Sequence, residues 1–322
     1  MIPFSDPSVR LTGRWAPWEN AAVATATGSS FEVAFRGNYI VLQFNTTWNT
    51  YPNPHLYVIA DGGARVEVPL DRHLRIDLPD GDHVVKVILK SAMEMQHRWH
   101  HPLVAKVAFL GYDAAEPGVL PCDDRKTIEF VGDSITEGVL IDVFNRDHKN
   151  DQFDRPCMDD VCATYAWLTA EALNLRSFHH AYGAVGITRG GCGGTVPAVE
   201  GYPYCFQSAP ATYGDPDYIL INHGANDRHN GVDAYTKGYR ALLELIRTTH
   251  PTSKIIALSA FCGAFPEELR ETVAAFNREK NDDVFFIDST GWIPPEPLHP
   301  LRDGHKIVAD HLIPLLKEKY GL

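Results

Sequence analysis

The sequence predicts two architectures in one chain, an all-β sandwich followed by an α/β fold with a parallel sheet. Between Ser29 and Tyr112, apolar and polar residues alternate with a period of two, as on antiparallel strands that bury one face. Residues 113–126 are rich in Pro, Asp and Gly, and beyond them apolar runs alternate with amphipathic stretches. Such alternation is typical of a parallel sheet covered on both faces.

The two-fold alternation of the first part is carried by residues 29–47, 55–70, 74–90 and 103–112. Clusters of Gly, Asp, Asn and Pro at 36–38, 61–63 and 79–82 are typical of tight turns. No helical period of useful length comes before about residue 115. We therefore expect an antiparallel sandwich over residues 1–118.

Five apolar strands and four amphipathic helices are predicted in the second part. The strands are at 127–132, 177–186, 217–224, 254–261 and 284–290, and the helices at 162–175, 232–250, 266–280 and 304–321. We predict an α/β domain over residues 119–322, in which 119–126 form the linker.

The composition limits the classes of partner. The chain has 322 residues, 44% hydrophobic and 22% charged, which is ordinary for a globular protein with a core. A formal net charge of −12 argues against nucleic acid, because nothing neutralises a phosphate backbone, and it gives no reason to expect a membrane partner. No stretch approaches the roughly 20 apolar residues of a membrane span.

The beginning of the chain and its cysteines bear on location. The first residues lack the pattern of a signal peptide, so we expect a cytoplasmic protein, or a secreted one if a leader was removed. Six cysteines include no CxxC pair, which argues against a zinc site. Reduced thiols are expected in the cytoplasm, whereas an even number would allow disulfides in a secreted protein.

Polar or glycine residues lie at the ends of four predicted strands. Ser134 follows the first strand, Gly186 ends the second, Asn226 follows the third and His299 follows the fifth. Because the carboxyl ends of parallel strands meet at one edge of a sheet, we expect these residues to converge. A hydroxyl, a backbone N–H, an amide and an imidazole can supply the nucleophile, two oxyanion donors and the base of acyl transfer.

Four motifs in the second part resemble the motif blocks of SGNH (GDSL-type) hydrolases. In chain order they are GDSITEG, GAVGIT, GAND and EPLHPLRDGH. The resemblance implies a three-layer αβα fold of SGNH type with a parallel sheet, with Ser134 as nucleophile and His299 as base. It also implies an oxyanion hole formed by the backbone N–H groups of Ser134 and Gly186 and the side chain of Asn226.

The resemblance covers residues 126–322, with one departure. The family has Asp three residues before the base, where this chain has Glu296. We expect Glu296 to orient the His299 ring as a third catalytic residue; the alternative is a Ser–His dyad with Glu296 in solvent. His305 matches the non-catalytic histidine of the family's closing helix.

The β-rich first part, with the run 83–112, resembles carbohydrate esterase family 2, in which a jelly-roll domain precedes the SGNH domain. The resemblance implies an esterase that deacetylates polysaccharides such as xylan or mannan, without a metal or other cofactor. Its partner would be an acetylated oligosaccharide or another small ester, and the oligomeric state stays open. The alternatives are a lipid esterase, lysophospholipase or thioesterase, or an inactive carbohydrate-binding protein.

Some of these residues also have structural interpretations. Ser134 could cap a helix and Asn226 could form a turn, but four motifs in order favour catalytic roles. Asp133 and Asp227 are interpreted as buried hydrogen-bonding residues that hold their loops.

Three aromatic residues, Trp99, Trp292 and Tyr204, are candidate substrate contacts, although aromatic residues more often belong to the core. The run MQHRWHHP at 95–102 contains three histidines, for which exposed or packing roles are expected rather than metal binding. This run would form one wall of the site if the two parts pack closely. The long polar loop at 140–160 is expected to shape the substrate pocket.

Overall fold

A computed structural model describes residues 1–142, 155–211 and 214–322. Ten strands of the first part form one large, curled antiparallel sheet, and five strands of the second part form a parallel sheet. Both predicted architectures are therefore confirmed. The predicted boundary at residue 118 stays a prediction; the last strand of the first sheet ends at Pro117, and the parallel sheet begins at Thr127.

The first sheet is organised around two long strands. Its strands are β1 Ile2–Pro3, β2 Val9–Thr12, β3 Ala16–Trp18, β4 Ala21–Ala24, β5 Ser30–Phe44, β6 His55–Ala60, β7 Val66–Pro69, β8 His73–Ser91, β9 Val107–Asp113 and β10 Glu116–Pro117. Strands β5 and β8 pair antiparallel from Ser30↔Ile88 to Gln43↔His73. Between the faces of the curled sheet, Phe31 stacks on Phe109 with ring centroids 4.0 Å apart.

The parallel sheet has the strand order β12-β11-β15-β16-β17. These strands are β11 Thr127–Gly132, β12 Arg176–Ala181, β15 Tyr218–Asn222, β16 Lys254–Leu258 and β17 Phe285–Ile287. From β11 the chain first moves to β12 on one side and then crosses to β15 on the other side of β11. The order of the strands therefore reverses at β11. Open α/β sheets bind ligands outside the carboxyl ends of their strands at this switch point.

Helices cover both faces of the parallel sheet. They are α1 Ser134–Glu137, α2 Tyr165–Ala172, α3 Ala198–Gly201, α4 Val232–Thr249, α5 Pro266–Lys280 and α6 Arg302–Tyr320, and a small hairpin is formed by β13 Tyr204–Phe206 and β14 Ala209–Pro210. Apolar residues of α4 and α5 belong to one core cluster, and those of α2 and α6 to another. Two cores on either side of one sheet make the predicted three-layer αβα arrangement.

The two parts of the chain are joined by buried charges. Arg14 of the first part and Glu129 of β11 form an ion pair at 2.8 Å in which both side chains have no exposed surface. Arg14 also donates to the Tyr202 carbonyl at 2.6 Å. Losing one partner of such a pair would leave an uncompensated charge in the interior. In the described part of the chain, no helix combines the length and apolar character needed to cross a membrane.

Candidate active site

Ser134 lies at the tight turn between β11 and α1. Asp133 is the N-cap of this helix, since its Oδ1 accepts from the Ile135 N–H at 2.9 Å. A Cβ atom at Gly132 would lie 2.2 Å from Thr136 Oγ1, so only glycine fits the end of the strand. Because Asp133 supplies the cap, the Ser134 hydroxyl is available for another partner.

That partner is His299, whose Nε2 lies 2.8 Å from Ser134 Oγ. His299 comes from the loop between β17 and α6, and Ser134 is 5% exposed at the carboxyl edge of the sheet. A hydroxyl within hydrogen-bond reach of an imidazole is the arrangement of an activated nucleophile and its base. The pairing of these two residues agrees with the roles that the sequence predicts for them.

The other two predicted oxyanion donors make hydrogen bonds within the protein in this structure. The Asn226 amide donates to Asp133 Oδ2 at 3.2 Å and to the Val185 carbonyl at 3.0 Å. The Gly186 N–H donates to the Arg189 carbonyl at 3.0 Å. Asn226 is thus held beside the residue that precedes Ser134, while the oxyanion role of both donors stays a prediction.

Asp227 joins the loop of Gly186 to the loop of Asn226. Its carboxylate accepts from the Ile187 N–H at 2.9 Å, the Thr188 N–H at 2.8 Å and the Thr188 hydroxyl at 2.7 Å. The structure therefore gives Asp227 the loop-holding role that was predicted for it.

The carboxyl groups of Asp133 and Glu137, on either side of Ser134 in the chain, are buried. Burial raises the pKa of Asp133 to about 7, and the nearby charges of Asp227 and Glu137 act in the same direction. Burial also raises the pKa of Glu137, but the paired Arg98 guanidinium opposes this shift because it stabilises the carboxylate. Ionisation is therefore costly for Asp133, which has no cation beside it among the residues that the structure describes, whereas the charge of Glu137 is compensated by Arg98.

His305 lies in α6 and is buried next to the site. Its Nδ1 accepts from the Tyr165 N–H at 3.1 Å, which requires that nitrogen to be unprotonated. Burial, together with the charges of His299 and Arg302, lowers the pKa of His305 to about 3. The ring is therefore a neutral structural partner of α2.

The first part of the chain reaches α1, the helix that begins at Ser134, through the loop between β8 and β9. Arg98 of this loop forms an ion pair with Glu137 of α1, and the side chains are 0% and 1% exposed. The Arg98 N–H donates to the Gly193 carbonyl at 3.2 Å, and a Cβ at Gly183 would lie 2.3 Å from Glu94 Oε2. Sequence reasoning missed Arg98, whose only signal was its place among three histidines.

Those histidines have separate surroundings. His97 is exposed, His100 Nδ1 lies 2.9 Å from Gln207 Oε1, and the His101 ring stacks on Trp18 at 4.3 Å. Within residues 1–142, 155–211 and 214–322, no group of three or more His, Cys, Asp or Glu side chains is placed to hold a metal ion. Cys122, Cys162, Cys192, Cys205 and Cys262 are thiols.

The predicted aromatic contacts differ in accessibility. Trp99 is 4% exposed and makes a T-shaped contact with Tyr182, so it offers almost no surface to a sugar ring in this structure. Trp292 is half-buried and stacks on His311 at 4.9 Å, and Tyr204 in β13 is 38% exposed. A substrate contact through either of these two stays a prediction.

Glu296 lies on the surface of the loop that carries His299. Its carboxylate accepts a hydrogen bond from the Leu298 N–H at 3.2 Å. Leu298 is the residue directly before His299, the predicted base. Its predicted role in orienting the imidazole is not tested by this contact and stays a prediction.

Two ion pairs are formed by Arg302 at the start of α6. Arg302, three residues after His299, pairs with Asp142 at 2.5 Å and with Asp160 at 3.0 Å. These contacts join α6 to both ends of the polar loop at 140–160. Residues 143–154 of that loop, which are part of the predicted substrate pocket, lie outside the described residues.

Comparison with known proteins places this geometry in a family. Residues 130–307 match the model of the GDSL-like lipase/acylhydrolase family. No curated protein matches the chain in sequence.

Several solved structures share the architecture of both parts. A family 2 carbohydrate esterase from Clostridium thermocellum, in complex with cellohexaose, has a TM-score of 0.79 and 21% identity over 97% of this chain and 99% of its own. A family 2 carbohydrate esterase from Cellvibrio japonicus has a TM-score of 0.79 and 21% identity, with coverage of 98% and 96%.

An acetyl xylan esterase from the rumen bacterium Butyrivibrio proteoclasticus has a TM-score of 0.76 and 19% identity, with coverage of 98% and 97%. At these identities the likeness shows the fold, which is the SGNH hydrolase fold behind a β-rich part. With the family model matching more than half of its residues, the chain belongs to the GDSL-like lipase/acylhydrolase family.

Proposed function

We propose that this protein is a serine esterase that removes small acyl groups, foremost acetyl, from carbohydrate. The observation that carries the proposal is the 2.8 Å contact between Ser134 Oγ and His299 Nε2 at the switch point of the sheet. Membership in a hydrolase family supports the reaction class.

The reaction takes two steps. His299 Nε2 accepts the hydroxyl proton as Ser134 Oγ attacks the ester carbonyl, and the imidazolium then protonates the departing sugar oxygen. This leaves an acyl-serine and a free alcohol. In the second step His299 takes a proton from water, the resulting hydroxide attacks the acyl carbon, and Ser134 leaves with its proton restored.

Negative charge on the carbonyl oxygen is to be held by the backbone N–H groups of Ser134 and Gly186 and by the Asn226 amide. Two of these donors, Gly186 and Asn226, already make hydrogen bonds within the protein. Each must give up one such bond before it can donate to the substrate oxygen. For Asn226 the bond to Asp133 Oδ2, at 3.2 Å, is the longer of the two. Gly186 would have to release the Arg189 carbonyl.

We favour a sugar over a long acyl chain as the substrate of this site. Arg302, three residues after His299 in the chain, forms ion pairs with Asp142 and Asp160, so the segment that follows His299 carries polar groups that suit sugar hydroxyls. The similar fold of an acetyl xylan esterase supports the same choice.

The test is a substrate panel of acetylated xylo- and manno-oligosaccharides and aryl esters from acetyl to octanoyl. We expect acetate release from acetylated sugars and falling turnover as the acyl chain lengthens. Rising turnover toward octanoyl esters would show a lipid or thioester hydrolase. Sugar binding without labelling of Ser134 by an organofluorophosphonate would show an inactive binding protein.

A further inference from the structure

The most exposed tryptophans of the chain line one groove, far in sequence from Ser134 and His299. Trp48 is 66% and Trp18 is 37% exposed, while the other four tryptophans are buried or half-buried. Both line a cavity of about 630 Å³ on the first sheet. Exposed apolar surface concentrated in one concave region is typical of a binding site.

Small apolar side chains line part of the groove. They belong to the paired strands β4 and β9 and include Ala21, Val23 and Ala108. The Trp18 ring is held from one side by the stacked His101 ring, at 4.3 Å and 22°. A fixed aromatic ring beside small apolar side chains suits a ligand with apolar faces.

Trp48 is displayed by a strained turn. The Asn49 N–H donates to the Thr46 carbonyl at 3.0 Å, which closes a four-residue turn with Trp48 at its third position. Trp48 has φ of +74°, a backbone conformation that glycine or asparagine normally supplies at this position. A bulky residue is kept there at a cost, and such costs concentrate at functional sites.

A buried lysine fixes this turn from below. Lys106 Nζ donates to the Thr47 carbonyl at 2.5 Å, to Asn49 Oδ1 at 3.1 Å and to the Leu103 carbonyl at 3.1 Å. Lys106 is 9% exposed, so a nearly buried side chain connects the turn to the sheet. The wall that carries Trp48 is therefore preformed.

The rim offers hydrogen-bonding groups without a large net charge. Asn45 and Thr47 line the groove and also line a second cavity of about 300 Å³. The groove therefore continues beyond these two residues. The charged groups are Glu19 and the hydrogen-bonded Lys106, one of each sign. A neutral ligand with apolar faces and many hydroxyl groups fits this surface better than an anion or an aliphatic chain.

We propose that this groove is a second, non-catalytic site that binds a neutral oligosaccharide, with sugar rings packed against Trp18 and Trp48. The site would hold the chain on the first sheet while the esterase acts elsewhere on the protein. It goes beyond the proposed esterase activity and can be measured without it.

The test uses the Ser134→Ala protein labelled with 5-fluorotryptophan, so that binding is read by fluorine NMR without turnover. Xylohexaose, mannohexaose and cellohexaose are titrated, and the Trp48 signal is assigned by its loss in Trp48→Gly. We expect the Trp18 and Trp48 signals to shift saturably with at least one of them. Titration of Trp48→Gly by calorimetry should show at least a tenfold loss of affinity at this site, whereas Tyr51→Ala, an exposed aromatic control outside the groove, should bind as the parent does.

The melting temperature provides the second readout. Because glycine accepts the positive φ of residue 48, Trp48→Gly should melt at the parent temperature or above it. A fall of several degrees would make Trp48 a packing residue and overturn the proposal. The proposal would also be overturned if the Trp18 and Trp48 signals did not shift with any of the three oligosaccharides. It would likewise be overturned if the parent protein were a dimer without sugar affinity and Trp48→Gly were a monomer, because the groove would then serve only as a dimer interface.

Discussion

Arg98 and Glu137 form an ion pair that is closed to solvent and joins the loop between β8 and β9 to the helix that carries Ser134. Thr27, also from the first part, donates from its hydroxyl to the Glu137 carbonyl at 3.2 Å. The β-rich part thus supports the turn that carries Ser134.

Neutralising one partner of this pair should be costly. Breaking a buried pair leaves a charge without compensation, so Arg98→Met or Glu137→Gln alone should lower the free energy of unfolding by about 3–5 kcal/mol. The double variant should lose less than the sum of the two. Chemical denaturation of all four proteins measures this coupling, and strictly additive losses would show that the pair contributes nothing as a pair.

The domain boundary leads to a second prediction. A segment of residues 119–322 would keep the predicted catalytic domain but lose Arg14 and Arg98, the ion-pair partners of Glu129 and Glu137, together with the part of the chain that packs around them. We expect this segment to lack a cooperative thermal transition and to lack esterase activity. A cooperative transition at the temperature of the full chain would show that the second part folds without the first.

His305 gives a prediction for the dependence of stability on pH. Its pKa is lowered to about 3 in the folded protein, so the unfolded chain binds more protons between about pH 3 and 6.5. The contribution of His305 to stability therefore rises with pH across this window, by at most about 1.4 kcal/mol per pH unit.

Asn can accept from the Tyr165 N–H as Nδ1 does and does not titrate, so His305→Asn should show a flatter slope than the parent. Denaturant unfolding at several pH values between 3.5 and 6.5 compares the two slopes. Equal slopes would mean that His305 keeps an ordinary pKa in the fold.

The role of Glu296 is tested by comparing its substitutions by Gln, Ala and Asp. Gln can still accept from the Leu298 N–H, whereas Ala cannot. If the loop contact is the whole role, Glu296→Gln keeps turnover within about threefold, which is below 1 kcal/mol of transition-state stabilisation, and Ala loses more. This outcome would indicate a Ser–His dyad, whereas the predicted role of Glu296 as a third catalytic residue leads us to expect the opposite order.

A triad gives the opposite order. Glu296→Gln would then lower turnover at least about tenfold, with Glu296→Asp retaining more activity than Gln and little change in KM. Turnover of the three variants measured between pH 6 and 9 separates the two outcomes.

Much of this fold is predictable from local pattern. Helix α5 at Pro266–Lys280 and strand β11 at Thr127–Gly132 have the predicted bounds, because a proline start and an unbroken apolar run are strong signals. Strands β1 to β4 were missed, since each has only two to four residues and is defined by its partners in the sheet. The hairpin of β13 and β14 was missed for the same reason.

The site divides in a similar way. Ser134 and His299 are found from motifs that follow strand ends, because topology brings those ends together. Arg98 could not be found, since its partner lies 39 residues away and the pairing depends on how two sheets pack. The burial of Trp99 has the same cause, because it depends on tertiary packing, which includes the T-shaped contact with Tyr182.

The central claim is that Ser134 carries the acyl group, and acid-quench mass spectrometry tests it most directly. An acetylated substrate is mixed with the parent and with Ser134→Ala, the reactions are quenched early, and the peptide containing Ser134 is analysed while released acetate is counted. We predict an acetyl group on Ser134 of the parent, and from the variant neither adduct nor acetate above background, with an unchanged melting temperature. Acetate released by Ser134→Ala at the parent rate would contradict the account.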